Sequence, residues 1–396
     1  MFEELNPWWE KEKWEEADKH LRTWKNQKIR WLPQWSKQIS LEPFSLNFVI
    51  GPRQVGKTTG LKLLIREILK HLDKSKAVLY LNLEFFSTLA EFREAIKKYL
   101  EIKKEEKIKS SFIFLDEATR LPGWDRIVKG FIEMGVFERD VITVSGSSSM
   151  HLLKHADSFP GRKGKGKKIF VMPVNFKEFV EIHGVNPGKY YSNERKILKL
   201  FEKYLYSGGF PLSINNLPFY EDFIESLERE ILEARKSVKI MRQIISEILN
   251  IVPSATSFNA IGNKIGISHY VVEEYLEILD DLFALKIAYW KDNKKVSFRK
   301  EKKIFFRDPF IFKAFSLISN KEIKREALLE HVVQEHLFRK FGEIYYFKNS
   351  YEIDCIARDL KIEVKAGKPY RKYLKGIKIL EEQDIPRFLI ELFSKE

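Results

Sequence analysis

Gly51, Pro52, Arg53, Gln54, Val55, Gly56, Lys57, Thr58 and Thr59 follow one another in the spacing of a loop that cradles phosphate. The two glycines let backbone N–H groups curl around an anion, and a helix starting after them adds its positive end. Lys57 would reach the β- and γ-phosphates of a nucleoside triphosphate, and the Thr58 hydroxyl would ligate Mg²⁺. Downstream, the apolar run Phe112–Leu115 ends in Asp116 and Glu117. Asp116 would hold the metal directly or through water, and Glu117 would orient and deprotonate the attacking water. Ser147, in the hydroxyl-rich stretch Ser145–Ser149, is the candidate γ-phosphate sensor, although an ordinary helix N-cap uses the same residue types. The stretch Gly161–Lys168 holds five basic residues and no acid. Within it Arg162 would stabilise phosphate charge, in its own subunit or a neighbour's. Its lysines suit a solvated loop or a nucleic-acid backbone equally well.

A second constellation lies near the C-terminal end. Tyr351–Ala357 and Lys361–Lys365 read as strands, and period two puts Glu363 and Lys365 on one face. If Arg358 and Asp359 form a two-residue turn, Asp354 stands opposite Glu363. Two facing carboxylates need compensation, from a divalent cation or from Lys365. Asp, Glu and Lys so placed would bind Mg²⁺ or Mn²⁺ and activate water on a phosphodiester.

The elements that must position these residues follow from the hydropathy pattern. Apolar runs at 46–50, 77–83, 112–116 and 140–145, with a shorter one at 168–172, alternate with helical patterns. That predicts an α/β fold with a parallel sheet and crossover helices over 46–174. Residues 1–45 contain Trp8, Trp9, Trp14, Trp24, Trp31 and Trp35. Trp14, Ala17, Leu21 and Trp24 would share one helical face, making this an arm packed on the core or a docking surface. Residues 175–239 read as a helical lid broken at Ser207–Pro211. In 240–310, Ser257–Gly266 and His269–Phe283 form two short helices with a tight turn. The strands Leu285–Trp290 and Lys303–Phe306 flank a basic wing, so a winged helix-turn-helix is expected. Its partner would be DNA or protein.

The chain has 396 residues and a net charge of +14, which points to a polyanionic partner or to a solvated basic surface. Cys355 is the single cysteine, so an intramolecular disulfide is excluded and a reducing compartment is expected. No apolar run approaches membrane-spanning length, and no leader is recognisable. The expected location is therefore cytoplasmic, without a membrane partner.

The ordered set of motifs resembles the AAA+-like ATPases of archaea and bacteria that carry a C-terminal restriction-endonuclease-like domain of unknown function. The matching residues are Gly51–Thr59, Leu115–Glu117, Ser145–Ser148, Gly161–Arg162, Asn175–Phe179, Gly208–Pro211, Lys303–Asp308, Leu329–Glu330, Glu352–Asp354 and Ile362–Lys365. The resemblance implies a P-loop core with a lid, a winged helix, and a small α/β domain of PD-(D/E)XK type over 311–396. It also implies Arg162 as an arginine finger, possession of ATP and Mg²⁺, and homo-oligomers. In the nuclease-like domain it points to Glu330, Asp354 and Glu363 as ligands of a second metal, beside Lys365. The lysine-rich insert after Arg162 departs from the pattern. The leading expectation is an ATPase that binds DNA and whose nucleotide state controls the C-terminal modules. The alternatives are an ATP-gated, metal-dependent nuclease and a signalling switch whose winged helix binds protein.

Overall fold

The computed structural model describes residues 2–147, 152, 159, 161, 163–367 and 376–394. The chain divides into two units, Met1–Met172 and Pro173–Glu396.

The first unit is built on β1 (Ser45–Ile50), β2 (Val78–Asn82), β3 (Phe112–Asp116), β4 (Val141–Gly146) and β5 (Lys168–Phe170). They pair in the order β2-β3-β4-β1-β5, all parallel. β1 and β4 are buried along their whole length, as continuous apolar runs must be when both faces of a parallel sheet are covered. Helices Lys57–Leu69, Leu89–Glu105 and Trp124–Glu133 turn apolar stripes inward, among them Leu61 and Ile65, Phe92 and Ile96, and Val128 and Phe131. This order places β4 between β1 and β3. The residues that leave the carboxyl ends of these three strands therefore lie side by side, where open α/β sheets bind ligands.

The arm departs from the continuous helix expected. Helices Trp14–Ala17 and Lys19–Asn26 are separated at Asp18, whose carboxylate accepts from Leu21 N at 3.0 Å and caps the second helix. Its role is visible at β2, an edge strand with unpaired backbone groups. Asn6 exchanges two hydrogen bonds with the Tyr80 backbone, at 3.1 and 2.6 Å. The Trp8 and Trp9 indoles donate to Val78 O at 3.1 and 2.9 Å. The arm thus closes an edge that would otherwise pair with another chain. Farther along, Trp35 fills the space at Gly60, where an added Cβ would fall 2.3 Å from the indole.

The second unit opens with the segment expected as a lid. Helix Phe176–Ile182 starts with a capping box between Asn175 and Glu178, followed by Tyr190–Ser207 and Tyr220–Glu233. These helices pack within the unit: Phe210 packs against Phe310 in a tilted arrangement with ring centroids 5.0 Å apart, and Gly209 N donates to Asp308 Oδ2 at 3.0 Å. Burial pushes the Asp308 carboxyl up to about 7, against the pull of Arg339 and two backbone donors. Nearby, Arg307 makes a bidentate pair with Glu335 at 3.0 and 3.1 Å, and Arg339 reaches the same carboxylate at 2.7 Å.

Helices Val238–Ile251, Phe258–Ile265 and His269–Asp281 precede the hairpin of β6 (Leu285–Asp292) and β7 (Lys295–Phe306). Ser257 and Ser268 cap the last two helices, and Gly266 ends the first of them in the left-handed conformation. The C-terminal strands are β8 (Tyr345–Lys348), β9 (Glu352–Ala357), β10 (Leu360–Lys365) and β11 (Lys378–Glu381). The expected division at residue 310 does not interrupt the sheet, whose order is β11-β10-β9-β8-β6-β7. β6 pairs in parallel with β8 at Tyr289–Tyr345 and Trp290–Tyr346, and Trp290 joins the core formed by Tyr346, Phe347, Ile353 and Ile356. The β6–β7 hairpin expected as a wing is therefore an extension of the C-terminal sheet. Among the described residues, no helix is long and apolar enough to cross a membrane.

Candidate functional site

The loop between β1 and helix Lys57–Leu69 has the backbone an anion cradle requires. Gly56 is left-handed (φ 93°), and an added Cβ at Gly51 would fall 2.0 Å from Val171 O. Lys57 is buried and donates to the carbonyls of Gly51 and Pro52 at 2.8 Å each, which holds its ammonium inside the loop. Thr58, one residue into the helix, donates its hydroxyl to Asp116 Oδ2 at 2.6 Å. Residues 58 positions apart in sequence thus meet where the ends of β1 and β3 are brought close.

Asp116 is fully buried and accepts from four groups. Thr58 and Tyr80 hold Oδ2 at 2.6 and 2.8 Å, while Ser145 and Glu117 N hold Oδ1. Burial, reinforced by Asp116, pushes the Tyr80 phenol well above its ordinary pKa, so it stays a donor. Glu117 follows in the left-handed region (φ 51°, ψ 40°) and is half-buried, turning the chain out of the strand. Ser147 directly follows β4, between the other two strand ends. Its hydroxyl is buried and has no hydrogen-bond partner among the described residues. The loop, Thr58, Asp116, Glu117 and Ser147 therefore converge, and Tyr80 and Ser145, which the sequence reading did not single out, complete the Asp116 shell. Arg162 lies outside the described residues. The hydroxyl and carboxylate of Thr58 and Asp116 are hard oxygen donors at ligand-sharing distance, which suits Mg²⁺.

The second constellation has the expected hairpin and an unexpected centre. β9 and β10 pair at Ala357–Leu360, Ile356–Lys361 and Cys355–Ile362 around the Arg358–Asp359 turn, which brings Asp354 level with Glu363. Asp354 Oδ2 accepts from Val364 N at 2.9 Å, and Lys365 pairs with Glu363 at 2.6 Å. The cation between Glu330 and Asp354, however, is Lys303 of β7. Its ammonium lies 2.9 Å from Glu330, 2.6 Å from Asp354 and 2.9 Å from Glu352. Burial alone would lower the Lys303 pKa, but the three carboxylates outweigh it and hold the ammonium well above its usual value. Glu330, fully buried and beside Asp354, is pushed up, while Glu363 rises to about 7 through burial and the charge of Asp354. The metal expected at Glu330, Asp354 and Glu363 has no support here. Among the described residues, no three His, Cys, Asp or Glu side chains are grouped to hold an ion. Lys303 supplies the charge a divalent ion would bring. Lys303→Ala should therefore expose the carboxylates to metal. Mn²⁺ would then raise the melting temperature of the variant more than that of the native chain, as read by thermal melts with and without Mn²⁺.

Comparison with known proteins finds similarity in both units. A family model described as an AAA domain matches residues 44–180, and one described as a domain of unknown function matches residues 198–322. An uncharacterized protein of Methanocaldococcus jannaschii is 27% identical over 349 residues, covering 81% of this chain and 73% of that protein. The ORC2 protein of Aeropyrum pernix, solved in ADPNP–ADP complexes, aligns with a TM-score of 0.45 and 11% identity over 72% of this chain and 92% of its own. A RuvB variant of Thermotoga maritima aligns with a TM-score of 0.33 and 15% identity over 71% of this chain and 88% of its own. The segment similar to an AAA domain contains the phosphate loop, Asp116, Glu117 and Ser147, and it spans all five strands of the parallel sheet.

Proposed function

We propose that this protein is a Mg²⁺-dependent ATPase whose nucleotide state governs how its second unit engages DNA. The observation that carries the enzymatic part is the 2.6 Å contact between the Thr58 hydroxyl and Asp116 beside the phosphate loop. Lys57 and the loop N–H groups would bind the β- and γ-phosphates, and Thr58 and Asp116 would hold Mg²⁺. The ion would supply charge neutralisation at the phosphates. Glu117 would orient the attacking water and accept its proton, and the Ser147 hydroxyl would donate to the γ-phosphate. Arg162 is assigned to stabilise phosphate charge, in its own subunit or from a neighbour in a homo-oligomer.

The DNA part is supported by the β6–β7 hairpin, whose Lys294, Lys295, Arg299 and Lys300 are exposed. The nuclease alternative loses its motivation at Lys303, which already occupies the carboxylate cluster. The reading is tested by titrating fluorescent DNA with the native chain in ATP and in ADP, and again with Lys57→Ala. The native chain should bind DNA with different affinities in the two nucleotides. Lys57→Ala should bind neither nucleotide and lose the difference. Equal DNA affinity in both nucleotides, or none in either, would favour a switch that acts on protein.

A further inference from the structure

The two-helix motif and the sheet beside it differ in charge, and this decides which of them can face a nucleic acid. In a winged helix that reads duplex DNA, the second helix of the motif enters the major groove. Here that helix, His269–Asp281, carries Glu273, Glu274, Glu277, Asp280 and Asp281 and no Lys or Arg. Lys236 and Lys286 pair with Glu274 and Asp280 at 2.6 and 2.7 Å, and the helix is still net negative. Phosphates would be repelled from it.

The opposite character appears where the β6–β7 turn meets β8, β9 and β10. There the surface forms a groove of about 520 Å³, in the size range of ligand clefts. Lys291, Lys294, Arg358 and Lys361 stand around it, against the carboxylates of Asp292 and Asp359. Its floor is aromatic: Tyr345, Phe347 and Tyr351 line it, with Phe347 and Tyr351 paired at 5.0 Å between centroids. Tyr351 is 38% exposed, and the Lys291 ammonium lies 4.3 Å from the Tyr345 ring. Strand pairing fixes this arrangement, since Tyr345 is opposite Tyr289 on one side and Ile356 on the other, and Ile356 is opposite Lys361.

We propose that this groove binds an unpaired nucleic-acid strand, with bases on the tyrosines and phosphates on the lysines. The proposal rests on the DNA reading above and extends the contact from the β6–β7 hairpin into the groove beside β8, β9 and β10. Cations around an aromatic floor are the combination that holds single strands, because an unpaired base offers its face for stacking. A duplex keeps those faces inside its own stack.

The test uses the full chain and a fluorescent 20-nucleotide oligo-dT, a duplex of the same length and a polyglutamate peptide. Oligo-dT should bind more tightly than the duplex. Tyr351→Ala should weaken it by about 10-fold. Lys294→Ala and Lys361→Ala should each flatten the dependence of log affinity on log salt by about 0.7 to 1. All three residues are exposed, so folding is not at stake; thermal melts verify this. Oligo-dT affinity unchanged in all three variants would overturn the groove assignment and leave DNA binding elsewhere intact. Binding of polyglutamate in place of oligo-dT would overturn it in favour of an acidic peptide. Failure to bind either nucleic acid would remove both the groove and the DNA reading.

Discussion

Glu117→Gln should cut ATP turnover by about 10²- to 10⁴-fold and leave nucleotide binding unchanged. The reason lies at Asp116. Both of its oxygens accept hydrogen bonds, from Thr58, Tyr80, Ser145 and its neighbour's backbone N–H. A carboxylate so occupied is held in place as a ligand. Glu117 stands one residue on, at the carboxyl end of β3, and its left-handed backbone carries it out of the strand. It is thus the nearby carboxylate with a base's position, and the amide keeps its shape while removing its basicity. Single-turnover hydrolysis and equilibrium binding of a fluorescent ATP analogue separate the two effects. Turnover within a few-fold of the native rate would move the base to another residue. Lost nucleotide binding would instead show that Glu117 shapes the pocket.

Glu335→Ala should destabilise the second unit by about 3–5 kcal/mol, more than most single substitutions. The carboxylate receives Arg307 through two bonds and Arg339 through a third; Arg307 and Glu335 are buried, and the Arg339 side chain is 9% exposed. Truncation leaves two guanidinium groups in a dry interior with their shared partner gone. Burial by itself would raise the Glu335 pKa, but Arg307 and Arg339 outweigh it and hold it below 4.5. The contribution of this ionisation is therefore present above about 4.5 and lost as pH falls through the lower, folded value. Urea unfolding at neutral pH measures the loss, which should fall on the transition that reports the second unit. A shift below about 1 kcal/mol, the size of an exposed ion pair, would mean that the network fixes geometry without holding the fold.

What the sequence by itself determined was whatever lies within one stretch of chain. The phosphate loop joins a strand to the helix it precedes. The Arg358–Asp359 turn sets its own register, so the level placement of Asp354 and Glu363 was legible from spacing. Ser257, Gly266 and Ser268 announced the ends of two helices through their caps. The basic residues between Lys291 and Lys300 were equally plain. Asp116 could be named because it ends an apolar run downstream of the loop.

Only the tertiary structure decided what meets across the chain. Tyr80 and Ser145 reach Asp116 because β2 and β4 are the neighbours of β3, an order that no local periodicity encodes. The tryptophan arm covers the edge of β2, a task invisible until the sheet has an edge. Lys303 is 27 residues from Glu330 and 51 from Asp354, and it enters their cluster because β6 joins β8 into one sheet. As the last residue of the charged run Lys300–Lys303 it carries no sign of a buried partner. Helix and turn patterns are written in bonds a few residues long. Strand order and buried charge pairing are settled by which surfaces exclude water together, and that is a property of the folded chain.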